Sequence, residues 1–266
     1  MAKQNSYEVV LSALSKEKNT LITTEELFNV ALKEVVRIDN EDVVDFYWHE
    51  LITAVKTKDN KQNNNTTNKV YVRGHGRNGS GNKDLDEILK AVFERGFQID
   101  QANNNRPDSI LKKLIPGEFE DYQISHLFEH RTNNPFLFEA PWMVCYVPKI
   151  LDPFTGHEIK GFPMLIERFV RWAFITNKKY INEYNGLILE YWNKLKDHFN
   201  SKANHYNKYR IESLILAFAP LLLKFEQLGQ SERKKAYVKM FKDNDISYWK
   251  MFTIENQFID KYGKSV

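Results

Sequence analysis

In the N-terminal third the apolar positions recur every three to four residues, the period of a helix with one buried face. In TTEELFNVALKEVV, Phe28, Ala31, Leu32 and Val35 share such a face, and Thr23 with Glu26 has the spacing of a capping box. NEDVVDFYWHELITAV repeats the pattern through Val44, Tyr47, Trp48, Leu51 and Val55, with acidic residues at the start, where the helix dipole favours them. The pattern then stops. Lys56 to Lys69 carries nothing apolar beyond threonine methyls and reads as a loop or linker.

VYVR resumes as a short strand candidate, followed by GHGRNGSGN and a helix from about Lys83 to Arg95 that Gly96 would close. NNNRP marks a further turn. Residues 116–162 are rich in prolines, aromatics and turn formers, and the alternation around DYQISHLF and MVCYVPKIL predicts short strands. From Phe162 the helical period returns, with Ile188, Trp192, Leu195 and Phe199 on one face. YRIESLILAFAPLLLKFEQLG is more apolar still, with Pro220 as a kink or a break. The pattern predicts an α+β, mainly α-helical fold. A small central ββα-like insert (116–162) sits between an N-terminal helical region (1–56) and a C-terminal one (163–266). An Asn/Gly-rich linker with a basic loop (57–82) and a helical connector (83–115) precede the insert.

Composition narrows the class. With 42% hydrophobic and 14% aromatic residues the chain folds rather than staying disordered. A formal charge of +3 permits a polyanionic partner without demanding one. Cys145 is the single cysteine, which excludes an intrachain disulfide and a cysteine-cage zinc site. The ten-residue run LILAFAPLLL is too short to span a bilayer, and MAKQNSYEVV has no apolar core of a secretory signal. The expectation is a cytoplasmic protein with no membrane partner.

Gly74, Gly76 and Gly79 spell G-x-G-x-x-G after VYV, with Asp100 further on, the outline of a dinucleotide-binding fingerprint. SGNKD follows the third glycine, where such a helix should already bury small apolar residues, and the strand is only three or four residues long. That reading is set aside. Arg73, His75 and Arg77 alternate with these glycines, which suits either a clamp on a phosphodiester backbone or a solvated connection. His49, His198 and His205 read as structural or surface histidines.

The central segment carries the candidate chemistry. His126 ends a strand-like run, and His157 follows 31 residues later at the start of HEIK. Metal-dependent hydrolysis of a phosphodiester needs an imidazole to take the proton of the attacking water, a hard cation, and ligands to hold it. His126 as base and His157 as ligand would supply the minimum, with Asp152 or Glu158 close by in sequence. His130 is a rival base, and the guanidinium of Arg131 beside it could fork onto a phosphate. The non-catalytic alternative is a proline-braced insert whose Phe136, Phe138, Trp142 and Phe154 fill a small core.

Over residues 122–161 the segment resembles the HNH, or His-Me finger, endonucleases. In that family a β-hairpin presents the general-base histidine, an asparagine orients it, and a following helix offers a metal-binding histidine. SHLF matches the first element and GHEIKG the last, with Lys160 closing a histidine-x-x-lysine; Met143 stands where the asparagine is looked for, and Asn133 and Asn134 come earlier. The resemblance implies a DNA endonuclease of restriction, phage or mobile-element type, dependent on a divalent metal, Mg²⁺ or Mn²⁺. It also implies DNA, with RNA not excluded, as the partner of Arg73, Arg77, Arg131 and Lys160. The competing expectation is a non-enzymatic helical subunit that binds nucleic acid or assembles into a virion or complex. A homodimer or a protein complex is compatible with either.

Overall fold

The structure is a computed structural model that describes residues 3–5, 23–58, 69–74, 82–100, 104–128, 131–154, 163–202, 206, 208–243 and 253–254. The first part of the chain runs β1 (Lys3–Asn5), α1 (Thr24–Lys33), α2 (Glu41–Lys56), β2 (Tyr71–Arg73), α3 (Asn82–Phe93), β3 (Gln98–Asp100) and α4 (Asn105–Leu114). Then come β4 (Glu118–Glu120), β5 (Tyr122–His126), β6 (Val144–Pro148) and a 3-10 segment, Lys149–Phe154. Five helices follow: α5 (Pro163–Thr176), α6 (Lys178–Ser201), α7 (Lys208–Phe218), α8 (Leu223–Glu226) and α9 (Gln230–Asp243). The architecture is α+β and mainly helical, as the periodicity predicts.

Local chemistry accounts for the element ends. The Thr23 hydroxyl accepts the Glu26 N–H at 3.2 Å while the Glu26 carboxylate accepts the Thr23 N–H at 2.9 Å, so the capping box forms as read. Asn40 caps α2 by accepting the Val43 N–H at 3.2 Å. Two readings shift. The left-handed turn after α3 falls at Glu94, with φ of 59°, rather than at Gly96. The last three residues of NNNRP open α4 rather than forming a turn, because Pro107 lies in the first helical turn, where an amide has no intrahelical acceptor to lose.

The strands pair locally. β5 and β6 are antiparallel, with Tyr122 opposite Pro148 and His126 opposite Val144, and Val36 adds an isolated bridge to Tyr146 on β6. β1 pairs in parallel with β4, and β2 with β3 across α3. The second pair is a βαβ unit, the supersecondary shape that the glycine pattern outlines. Its strands are three residues long, and the Asp100 carboxylate accepts the Arg106 N–H at 3.0 Å at the start of α4. Gly76 and Gly79 lie outside the described residues.

One core runs through the molecule, with Phe28, Trp48, Phe136, Tyr184 and Phe218 among its fully buried members. Among the described residues no helix is long and apolar enough to cross a membrane. The run LILAFAPLLL is buried but is not one helix: α7 ends at Phe218 and α8 begins at Leu223. Proline has no N–H and disfavours helical backbone before it, so Pro220 breaks the helix inside the core.

A buried break strands backbone carbonyls and amides, each of which costs about 1–3 kcal/mol if left unmet. Polar side chains meet them here. Arg131 donates to the carbonyls of Leu216 and Ala219, the latter at 3.0 Å. Asn134 reaches Ala217 O at 3.1 Å, and Tyr184 Oη reaches Ala219 O at 3.0 Å. Asn185 both donates to Leu221 O and accepts from Leu221 N, at 3.0 and 2.7 Å, and Tyr237 Oη accepts the Leu222 N–H at 3.1 Å. The Arg131 charge is matched by Glu226, which also accepts from Tyr237 at 2.7 Å and from Arg233 at 3.3 Å. Burial works to lower the Arg131 pKa, but Glu226 more than offsets it and the guanidinium stays charged. Arg131 was expected to meet phosphate. With 0% exposure its guanidinium is a structural clamp that no backbone phosphate can reach.

Removing one partner of this ion pair leaves the other buried and uncompensated. Arg131→Ala is expected to lower unfolding free energy by about 3–5 kcal/mol in urea titrations, whereas Lys149→Ala, at a surface pair with Asp121, changes it by about 0–1 kcal/mol. Equal effects would contradict the clamp.

Candidate functional site

His126 is the last residue of β5 and is half-buried. The ladder continues one rung beyond it, where Leu127 N–H donates to Met143 O at 2.9 Å. Met143 is fully buried, and its carbonyl belongs to the hairpin ladder. The described part of the connection, 131–143, folds back through successive turns. Asn134 O accepts the amides of Leu137 and Phe138, both at 3.0 Å, and Asn134 Oδ1 accepts the Phe136 N–H at 2.9 Å. Its Nδ2 is spent on Ala217 O and on Tyr184 Oη at 2.9 Å, so the turn is pinned to the C-terminal helices.

That pinned turn presents the Phe138 carbonyl 3.1 Å from His126 Nε2, with the two rings stacked at 5.6 Å and 12°. A carbonyl only accepts, so Nε2 is the donor in this hydrogen bond. The His126 ring is held by a backbone carbonyl in a turn that Asn134 braces. The available signal was Asn-Asn-Pro at 133–135, a turn-forming run in which an asparagine side chain bonds backbone two residues on.

β2 docks on the same turn. Arg73 N–H donates to Thr132 O at 2.9 Å, Asn133 Nδ2 donates to Arg73 O at 2.7 Å, and Tyr71 N–H donates to Glu139 Oε2 at 2.7 Å. The structure thus brings Arg73 to the loop that orients His126. Arg77, His130, His157, Glu158 and Lys160 lie outside the described residues, as does the Asp152 side chain, although its backbone belongs to the 3-10 segment. Among the described residues no group of three or more His, Cys, Asp or Glu could hold a metal ion. The described residues supply an oriented imidazole.

A groove of about 560 Å³ lies between α2, α4 and β2, on the Glu139 side of the turn. Leu51, Ala54, Val70, Ile110 and Leu114 supply its apolar lining. Arg106 pairs with Glu139 at 2.8 Å and stacks over the Tyr71 ring at 4.4 Å, and Lys113 sits 5.0 Å from the centre of the Tyr47 ring. Burial raises the Glu139 pKa, and the Tyr71 amide and Arg106 offset part of the rise. None of Arg106, Lys113 or Glu139 stood out as a site residue in sequence. The signal that could have found Glu139 was a lone carboxylate inside the apolar run PFLFEAPWMV.

Other candidates are structural. Burial pushes the Cys145 thiol up to about 12, so it is no nucleophile at neutral pH. His49 Nδ1 bonds Asp45 O at 2.8 Å, and His198 Nε2 lies 3.1 Å from Tyr206 Oη. Phe136, Phe138 and Trp142 are buried, as the non-catalytic alternative expects, while the Phe154 side chain lies outside the described residues.

Comparison with known proteins places the chain in a family. A family model described as Uncharacterised protein PM1201 matches residues 40–237, and the chain belongs to that family. A relative from Pasteurella multocida (strain Pm70), described in the same words, is 34% identical over 181 residues, which are 66% of this chain and 78% of the relative. No solved structure matches. The matched region contains His126, the turn at Asn134, the groove and the Pro220 break.

Two measurements check this geometry. Long-range ¹H–¹⁵N spectra are expected to show His126 as the Nε2–H tautomer near neutral pH, and Asn134→Ala is expected to abolish that preference by releasing the turn. Glu139 has its folded pKa raised, so the stability it contributes is complete below the unfolded carboxyl pKa and is lost as pH rises through the folded value. Glu139→Gln is expected to flatten that limb of the stability–pH curve.

Proposed function

We propose that this protein is a divalent-metal-dependent DNA endonuclease in which His126 is the general base. The observation that carries the reading is the His126 ring itself, held at the end of a β-hairpin by the Phe138 carbonyl at 3.1 Å. A histidine ring held in one orientation by a carbonyl suits the role of a group that takes a proton from an attacking water. The hairpin, the 3-10 segment and α5 follow in the order strand, strand, helix, which supports the ββα resemblance stated from sequence. His157 remains the proposed metal ligand, with Asp152 or Glu158 close by in sequence, and the cation would supply charge neutralisation at the phosphate. Arg73, docked on the turn of His126, is the proposed phosphate contact among the described residues. Arg131, fully buried against Glu226, makes no such contact. A single cysteine kept as a buried thiol suits a cytoplasmic setting.

One feature favours a second reading. The groove beside the turn combines cations with aromatic rings, which a non-enzymatic nucleic-acid-binding subunit would also need.

Incubation of supercoiled plasmid with Mg²⁺ or Mn²⁺, against EDTA, separates the two. Nicking is expected with metal and not with EDTA, and His126→Ala is expected to slow it by about 10²–10⁴-fold. Absence of nicking in either metal would sink the enzyme reading in favour of the binding one. Undiminished nicking by His126→Ala would leave the activity and discard the base.

A further inference from the structure

We propose that the groove between α2 and α4 binds an unpaired stretch of nucleic-acid strand, which leads one strand of the substrate toward the His126 turn. The proposal deepens the nucleic-acid reading above and rests on it.

Size comes first. A groove of about 560 Å³ falls in the range of sites for compact ligands and can take a nucleotide, but it cannot admit a double helix. Charge selects the sign of the occupant. Lys69, Arg106 and Lys113 line the groove against Glu50 and Glu139, and Glu139 is already neutralised by Arg106 at 2.8 Å. The remaining balance favours an anion.

Flat surfaces select its body. The Arg106 guanidinium rests on the Tyr71 ring at 4.4 Å and its side chain is 41% exposed, a geometry in which a base can stack on the guanidinium plane. Phe46 supplies the independent observation. Its side chain is 60% exposed, one of three large exposed apolar side chains among the described residues, and its ring packs edge-on against Tyr47 of the groove wall at 5.2 Å and 88°. Lys113 lies 5.0 Å from the centre of that Tyr47 ring. Exposed aromatic surface next to a cation is the arrangement that single-strand binders use to stack bases while lysine and arginine follow the phosphates.

Connectivity links the groove to the base. Glu139 lines the groove, and the residue before it, Phe138, supplies the carbonyl that holds His126. A strand seated against Glu139 and Arg106 lies on one side of the turn whose other side orients the imidazole.

The test measures binding without cleavage, by fluorescence anisotropy in EDTA. The probes are a labelled single-stranded 20-mer DNA, its RNA counterpart and the DNA duplex. Either single strand is expected to bind more tightly than the duplex. Phe46→Ala is expected to weaken single-strand binding by about tenfold, the loss of one stacked base. Lys113→Gln is expected to lower the salt-dependence slope by about one. Both sites are on the surface, and thermal melts confirm that the variants fold. Duplex bound as tightly as single strand, or both variants binding like wild type, overturns the proposal. Wild-type nicking with unaltered binding by the variants removes the groove and keeps the nuclease. Lost binding in the variants without any nicking by wild type removes the nuclease and keeps the groove.

Discussion

The Pro220 break, buried between α7 and α8, is the constraint around which the C-terminal half is arranged. Water cannot reach the carbonyls of Leu216, Ala217 and Ala219, so side chains from elsewhere must. Arg131 and Asn134 come from the central loop, Tyr184 and Asn185 from α6, and Tyr237 from α9. Glu226, at the end of α8, then balances the charge that this satisfaction brings inside. A helix interruption that would be costly alone becomes the point where four segments are joined.

That joint reaches the candidate site through a short path. Asn134 faces the break with its amide nitrogen and organises a turn with its oxygens. The turn presents Phe138 O to His126 and Glu139 to β2 and Arg106. The orientation of one imidazole and the wall of one groove therefore both depend on a loop anchored in the C-terminal helices. Rigid support of this kind suits a group that must meet a substrate in one geometry.

Much of the fold was legible along the chain because its signals are local. The capping box at Thr23 and Glu26, the buried stripe of α2 and the short apolar runs that become β5 and β6 each involve residues a few positions apart. Of the candidate site, His126 and Arg73 were legible in sequence, and the partner of the imidazole was not. That partner, Phe138 O, is a backbone atom and leaves no mark in composition. Arg131 misled for a physical reason. An arginine beside histidines in a polar-looking loop is usually solvated, and only the distant Glu226 and the open carbonyls around Pro220 make its burial favourable.

By itself the sequence determined a mainly helical α+β chain with a central hairpin ending in a histidine, since periodicity and turn chemistry act over a few residues. The tertiary structure decided which carbonyl holds that histidine, that Arg131 faces inward, and that α2, α4 and β2 line a groove of apolar, aromatic and charged side chains. Those outcomes rest on contacts between residues tens of positions apart, where burial and the need to satisfy every buried polar group choose the partners.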